Sequence, residues 1–286
     1  MKDKFQKLSP FLQLVVLILI GIVSFVLLSM ITTSVVSGLY PDMPLNNINV
    51  QRTQYPVQFM MLYYFTFQCG FLLIPGIVFY RWSSRIELSR YTNITNKMWS
   101  VLLFVTLFLI LPVLSEVNIR IADLFGIKDA LMNERLLADQ EMSHLLGSTS
   151  DLSFIVGLGL IGILTGIAEE LAFRKLLFGH MLHHTRQFWL SVIGSAFLFA
   201  LLHFNYLQFL PLMSFGIGLS LIYYYSGSIW LGAALHAMNN MLNLWWLSTD
   251  SFPGWMEEVD LKTTIPSTLL LMGLIYYQFF RKRSSI

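Results

Sequence analysis

The sequence is poor in charge. Asp, Glu, Lys and Arg make up 12% of its 286 residues, well below the ~25% typical of soluble domains. The net charge of +2 is too small to indicate a nucleic-acid partner. A single cysteine, Cys69, excludes an internal disulfide. The chain also lacks an internal repeat, a low-complexity tract and any stretch that resembles a soluble domain.

Long apolar runs dominate the chain instead. Hydrophobic residues make up 56% of it, and runs of ~20 residues, the length that a helix needs to cross a membrane, recur. The short alternating segments of a β-barrel are not seen. The pattern predicts an all-α, polytopic membrane helical bundle in which residues 1–286 form one membrane-embedded domain. About eight transmembrane helices are predicted, at roughly 11–36, 57–80, 98–117, from 152 onward, 188–203, 207–225, 229–247 and 266–280.

The Lys and Arg residues orient these predicted spans. With eight spans, both termini and every second loop share one side of the membrane, and most of the 18 Lys and Arg residues fall on that side. The positive-inside rule therefore predicts that both termini are cytoplasmic. The longest connection, 118–150, falls on the outer side. Its leucines allow either an amphipathic helix at the interface or a solvated loop.

Two adjacent carboxylates, Glu169 and Glu170, lie in the fourth predicted span. An ionisable residue at membrane depth costs at least ~2.5–3.5 kcal/mol, so such residues indicate a functional site. Glu170 and Arg174 are four residues apart and share a helix face, so they can pair. Glu169 points about 100° away, toward a different neighbour. One glutamate can thus be structural while the other takes a proton; the alternative is a buried ion pair with a spare interfacial carboxylate.

Histidines and an amide follow on later spans. If the chain turns near Arg186, Glu169 and His203 are each 17 residues from the turn and would face each other at one depth. His236 and Asn240 share a face of the seventh span, so they could donate two hydrogen bonds to one oxyanion. The alternatives are an interfacial histidine at 203 and a polar helix–helix contact at 236 and 240. Asn239 points elsewhere and is not included.

These residues together resemble the motifs of a known family. Glu169-Glu170-x-x-x-Arg174, then Phe199-x-x-x-His203, then His236-x-x-x-Asn240 is similar to the pattern of the CPBP intramembrane endopeptidases. That family includes the type II CAAX prenyl proteases and the Abi bacteriocin-processing and immunity proteins. The resemblance covers about residues 152–247, the predicted catalytic core. Many members have Gly after the motif arginine, where this chain has Lys175, and this departure concerns helix packing more than chemistry.

The resemblance implies an endopeptidase with a cavity near the cytoplasmic leaflet. Glu169 would be the general base that activates water, with His203 helping to hold it. His236 and Asn240 would stabilise the oxyanion, and Glu170 and Arg174 would support Glu169. The substrate would be a peptide or lipidated protein at the lipid bilayer, such as a CAAX-type tail or a peptide leader. A bacterial cytoplasmic membrane is the expected location.

Metal dependence and two other functions stay open at this point. Glu169, His203 and His236 could ligate zinc with one position open, but each ligand would come from a different helix and there is no His-Glu-x-x-His helix. We favour a metal-free, glutamate-dependent reaction without a cofactor. A non-catalytic immunity or scaffold protein would keep the bundle for packing, yet all six motif positions are intact. A proton-coupled transporter would use Glu169 and His203 as a relay, yet no inverted repeat is seen.

Overall fold

The structure is a computed structural model that describes residues 2–82, 94–254, 269 and 273. These described residues form helices and connecting turns, without a strand. The prediction of an all-helical chain is therefore confirmed for this part of the protein. The eighth predicted span, 266–280, falls outside the described residues except for two single positions.

Ten helices are distinguished within the described residues. In chain order they are α1 Lys2–Gln6, α2 Pro10–Leu39, α3 Ile48–Gln54, α4 Pro56–Trp82, α5 Ile94–Leu124, α6 Lys128–Leu146, α7 Leu152–Thr185, α8 Phe188–Leu201, α9 Phe209–Ser226 and α10 Ile229–Thr249. A short 3-10 turn, Tyr206–Gln208, precedes α9. Two of these helices, α4 and α7, contain π-helical stretches, at Met61–Phe65, Phe67–Leu73, Leu158–Leu164 and Glu170–Phe178.

Several helices are long and apolar enough to cross a membrane. Within the described residues there are five: Pro10–Leu39, Pro56–Trp82, Lys97–Leu124, Leu152–Thr185 and Tyr206–Ser226. Such helices indicate an integral membrane protein. Two other described helices, α8 and α10, coincide with predicted spans but are not among these five. The helix α8 is apolar but has only 14 residues. The helix α10 has 21 residues but carries one histidine and three asparagines. The count of eight spans stays a prediction.

The long connection 118–150 is largely helical. The helix α5 continues to Leu124, and α6 follows after a short turn at Gly126, where φ is +68°. Leu145 and Leu146, at the end of α6, are buried, whereas Leu136 and Leu137 are exposed. Of the two alternatives for this connection, the helix is confirmed and the solvated loop is wrong.

The contacts divide the chain into two compact units. The first comprises residues 1–86, 138–187 and 233–251, and the second comprises residues 87–137, 188–232 and 252–286. The prediction of one membrane-embedded domain is not tested by this division and stays a prediction. The glutamates of α7 and the motif residues of α10 belong to the first unit, and His203 belongs to the second.

In the first unit, glycines allow the helices to approach closely. A Cβ added at Gly70 of α4 would lie 2.5 Å from the Cα of Phe25 in α2, and the Ser24 hydroxyl donates to the Gly70 carbonyl at 2.7 Å. A Cβ at Gly76 would lie 3.0 Å from the Cβ of Leu171 in α7. Small residues are how helices pack in lipid, where no hydrophobic effect drives them together. These contacts fix α7 against the anchor helices α2 and α4.

In the second unit, α9 packs against both α5 and α8. A Cβ at Gly218 would lie 1.9 Å from Leu107 of α5, and one at Gly216 would lie 3.0 Å from Ala196 of α8. Buried Asn118 ties the end of α5 to the start of α9: its Nδ2 donates to the carbonyls of Tyr206 and Leu207, and its Oδ1 accepts from the amide of Leu210. One amide thus satisfies three main-chain groups at a helix start.

Candidate functional site

The two glutamates lie where the backbone of α7 changes its winding. The α-helical turn Thr165–Glu169 ends at Glu169, and the π-helical stretch Glu170–Phe178 begins at Glu170. Stretches of π-helix are frequent at functional sites because they redirect side chains within an otherwise regular helix. Here the change of winding lies at the centre of the motif. No sequence pattern discussed above predicts this π-helical stretch.

A close contact between α7 and α10 brings the motif residues together. A Cβ at Gly166 would lie 2.8 Å from the main-chain nitrogen of Ala237, and one at Gly162 would lie 2.7 Å from Cγ of Met241. The spacing Gly162-x-x-x-Gly166 is the small-residue pattern by which membrane helices pack. This glycine spacing is visible in the sequence and is the signal that could predict the contact between α7 and α10. It positions His236, one residue before Ala237, beside the glutamates.

Glu170 is the centre of a buried charge cluster. Its Oε1 lies 3.0 Å from Nη1 of Arg174 and 3.0 Å from Nδ1 of His236. Nε2 of His236 lies 3.7 Å from Oε2 of Glu169. All four residues are at most 8% exposed. A buried charge is tolerated only where charges and hydrogen bonds compensate it, and here two carboxylates face a guanidinium and an imidazole.

This arrangement partly differs from the expectation. The pairing of Glu170 with Arg174 across one helical turn is confirmed. Glu169 faces a neighbour other than Arg174, as expected, because Nε2 of His236 lies 3.7 Å from its Oε2. The difference is that the same imidazole also contacts Glu170, through Nδ1. The reason is that a planar imidazole presents nitrogens on two edges and can lie between adjacent side chains. Helix periodicity alone could not reveal that.

The contact with Glu170 fixes the direction of His236. A carboxylate oxygen accepts hydrogen bonds, so the proton of Nδ1 points to Glu170 and the other ring nitrogen is directed toward Glu169. The 3.7 Å between Nε2 and Oε2 is longer than a hydrogen bond. The Glu169 carboxylate and a ring nitrogen of His236 therefore lie side by side without forming a hydrogen bond.

Asn240 is one turn farther along α10. Its Nδ2 lies 3.5 Å from the carbonyl of Ile161 on α7, which is the long limit of a hydrogen bond. An amide nitrogen carries two hydrogens, and this contact uses one of them. Asn240 and His236 share a face of α10, as the spacing predicted.

His203 lies in the second unit, in the turn that follows α8. Its Nδ1 donates to the carbonyl of Phe199, with 2.6 Å between the two atoms. The turn near Arg186, on which its predicted depth depended, is present: α7 ends at Thr185, Arg186 has φ +58°, and α8 begins at Phe188. That Glu169 and His203 face each other stays a prediction.

The choice between a zinc site and a metal-free reaction stays a prediction. Among the described residues, no three His, Cys, Asp or Glu side chains are arranged to hold a metal ion. Glu169 and His236 form a pair of possible ligands, whereas a catalytic zinc site needs three protein ligands. We therefore derive no step of the chemistry through a metal.

Lys175 stands where many family members have Gly, and its side chain fits beside α4. Its Nζ lies 5.1 Å from the ring centre of Tyr80 on α4, as in a cation–π contact. The residue is half-buried and follows Arg174 on the side of α7 that faces α4. A long side chain is accommodated where many members have glycine.

Comparison with known proteins gives one finding. Residues 151–242 match the family of Rce1-like type II CAAX prenyl endopeptidases. The match spans the three motifs, and it confirms over these residues the resemblance stated from them. No curated protein and no solved structure matches the chain.

Proposed function

We propose that this chain is a membrane-embedded endopeptidase in which Glu169 activates water for attack on a peptide carbonyl. The observation that carries the proposal is the buried cluster of Glu169, Glu170, Arg174 and His236. It lies in a chain with five described helices that are long and apolar enough to cross a membrane. The match of residues 151–242 to CAAX-type endopeptidases supports it. The catalytic core is residues 152–247, as the motifs predicted.

The reaction starts with proton transfer to Glu169. A water molecule bound beside the carboxylate gives a proton to it while the water oxygen forms a bond to the scissile carbonyl carbon. The carbonyl π bond opens, and an oxyanion results. When the tetrahedral intermediate collapses, the C–N bond breaks and Glu169 returns the proton to the leaving amine. No metal takes part in these steps.

His236 and Asn240 stabilise the oxyanion. The second hydrogen of the Asn240 amide donates one bond, and Nε2–H of a protonated His236 donates another. Donors held in place before the reaction are worth far more in a dry site than in water.

Glu170 and Arg174 are positioning residues. Arg174 holds Glu170, and Glu170 holds His236 through Nδ1. His203 keeps the role that its motif gives it, which is to help hold the attacking water.

The site lies toward the cytoplasmic side of the membrane, in a fold of eight spans with both termini in the cytoplasm. Glu169 is 17 residues, or ~25 Å, from the start of α7 at Leu152. A hydrocarbon core is ~30 Å thick, so a helix that enters near Leu152 brings Glu169 close to the far interface. Lys175 and Arg186 follow on that side, in keeping with the positive-inside rule. A bacterial cytoplasmic membrane is the proposed location.

The substrate is a peptide or lipidated protein at the membrane, such as a prenylated CAAX tail or a peptide leader. The test uses purified wild-type protein with a farnesylated CAAX peptide and with a library of leader peptides. Mass spectrometry of the products, with and without a chelator, identifies the bond that is cut. We expect cleavage at one bond and a rate that the chelator leaves unchanged.

Three results would contradict this proposal. Loss of cleavage on chelation, restored by zinc, would refute the metal-free reaction. Absence of cleavage of every peptide by folded protein would favour the immunity or scaffold alternative. Proton uptake coupled to solute transport in vesicles, without cleavage, would favour the transporter.

A further inference from the structure

Three asparagines continue the polar row of His236 along α10. Asn239, Asn240 and Asn243 follow it by three, four and seven residues. At about 100° per residue, all three side chains project within about 60° of His236 on one face of the helix. The row is ~10 Å long from His236 to Asn243. The proposed mechanism uses only two residues of the row, His236 and Asn240.

The other two residues of the row, Asn239 and Asn243, do not form the contact with α7. That contact is made by Ala237 and Met241, which lie about 100° and 140° around α10 from His236 in one direction. Asn239 and Asn243 lie on the other side of His236. Asn243 is exposed. An exposed amide next to a buried site, on the face that α7 does not cover, is accessible to a ligand.

The groups that Asn239 and Asn243 present are hydrogen-bond acceptors. The Oδ1 of Asn239 is buried and accepts no hydrogen bond from any described residue. Nδ2 of Asn243 donates to the main-chain carbonyl of Asn239 at 2.8 Å, so its oxygen is the part of the amide directed outward. A buried acceptor without a donor is unfavourable. A ligand that brings N–H groups would remove that cost.

We infer that Asn239 and Asn243 bind the main chain of the peptide substrate, and this inference rests on the proposed function. Their amide oxygens accept from main-chain N–H groups beside the scissile bond, while His236 and Asn240 donate to its carbonyl. Asn239 and Asn243 are one helical turn apart, ~6 Å along the axis. Alternate N–H groups of an extended peptide repeat at ~6.6 Å, so two of them match the two oxygens.

This mode of binding reads the backbone and not the side chains. Recognition through main-chain hydrogen bonds gives affinity, and specificity comes from side-chain pockets elsewhere. The site is therefore tolerant of sequence at the substrate residues that lie along α10. Substrates must be extended there, because a helical segment has already paired its own N–H groups.

The experiment removes the two partners of each hydrogen bond separately. One partner is removed in Asn239→Leu or Asn243→Leu. The other is removed in derivatives of a quenched fluorescent farnesylated CAAX peptide, each with a single N-methyl group at one main-chain nitrogen. Values of kcat/KM are compared within one variant, so that a loss of folded protein cancels. Thr249→Ala is the matched control, since Thr249 is an exposed polar residue in the last turn of α10, about 140° around the helix from His236.

We expect coupling at two positions of the peptide. For the wild type and for Thr249→Ala, one N-methyl derivative should have a kcat/KM about tenfold below that of the parent peptide. For Asn239→Leu the same derivative should be less than about twofold below the parent, because the hydrogen bond is already absent in this variant. A second derivative should behave in the same way with Asn243→Leu. Each asparagine variant should raise KM for the parent peptide more than it lowers kcat.

Other outcomes overturn the inference in distinguishable ways. If each variant loses the same factor on all derivatives, the asparagines serve structure or water and not the substrate main chain. In that case the inference fails while the proposed function stands. If the wild type cleaves no peptide, the proposed function fails and the inference fails with it.

Discussion

Two helices of the first unit, α2 and α7, contrast in what their residues do. The 30 residues of α2 include no charged side chain, and many of its apolar side chains are exposed. The 34 residues of α7 include two glutamates and an arginine that are almost wholly buried. An exposed apolar surface gains stability from lipid, whereas a buried charge must be compensated inside the protein. The contrast separates a helix that anchors from a helix that carries chemistry.

The sharpest way to break this contrast is to remove the imidazole beside the α7 glutamates. We expect His236→Ala to lower kcat by ~10³-fold or more, because it removes an oxyanion donor and uncouples Glu170 from the site. The measurement is the initial rate of peptide cleavage at equal amounts of folded protein. The matched control is His144→Ala, since His144 is exposed on α6. A loss of less than about tenfold would remove His236 from the reaction.

The second oxyanion donor should have a smaller effect. We expect Asn240→Ala to lower turnover by ~10²–10³-fold, the usual scale for one donor. Its contact with Ile161 is at the limit of hydrogen-bond length, so the fold should lose little stability. Asn49→Ala, at an exposed position of α3, is the control. A change below threefold would exclude Asn240 from this role.

The contact that holds α10 against α7 should have an intermediate effect. In Gly166→Ala the new Cβ would lie 2.8 Å from a main-chain nitrogen of α10, so the helices must separate. We expect a ~10–100-fold loss of cleavage, because small displacements of catalytic groups are costly. Gly159→Ala on the same helix is the control, since a Cβ there meets nothing within 4 Å. Equal activities of the two variants would refute close packing as the source of the site geometry.

The anchor helix should give the smallest effect on catalysis. Ile22 of α2 is 45% exposed. We therefore expect Ile22→Ala to change the cleavage rate by less than about twofold and the free energy of unfolding by less than ~0.5 kcal/mol. Leu17 of the same helix is 2% exposed and packs with Phe5 and Phe79. Leu17→Ala should cost ~2–5 kcal/mol of unfolding free energy. Thermal denaturation of the two variants in detergent checks this difference, and equal losses would contradict it.

The sequence predicted the helices better than the contacts between their side chains. Apolar runs and span ends predicted α2, α4, α7 and α9 within a few residues, because hydrophobic length is a strong signal. The pairing of Glu170 with Arg174 followed from helix periodicity. The weaker span predictions concern α8 and α10, of which one is short and the other rich in asparagine.

What the sequence could not reveal depends on three-dimensional detail. The π-helical winding after Glu169 follows from packing, and no local propensity indicates it. The position of His236 between two glutamates depends on its rotamer and on the contact of Gly166 with Ala237. The prediction that Asn239 points away from His236 overlooks that the two residues are only about 60° apart on the helix.

The most direct test of the account is the cleavage rate of Glu169→Gln. The substitution keeps the size of the side chain and removes its ability to take a proton, and Glu134→Gln, at an exposed position of α6, is the matched control. The account predicts that Glu169→Gln folds and inserts like the wild type and cleaves no peptide above background, while Glu134→Gln keeps full activity. Unchanged cleavage by Glu169→Gln would contradict the claim that this carboxylate activates water.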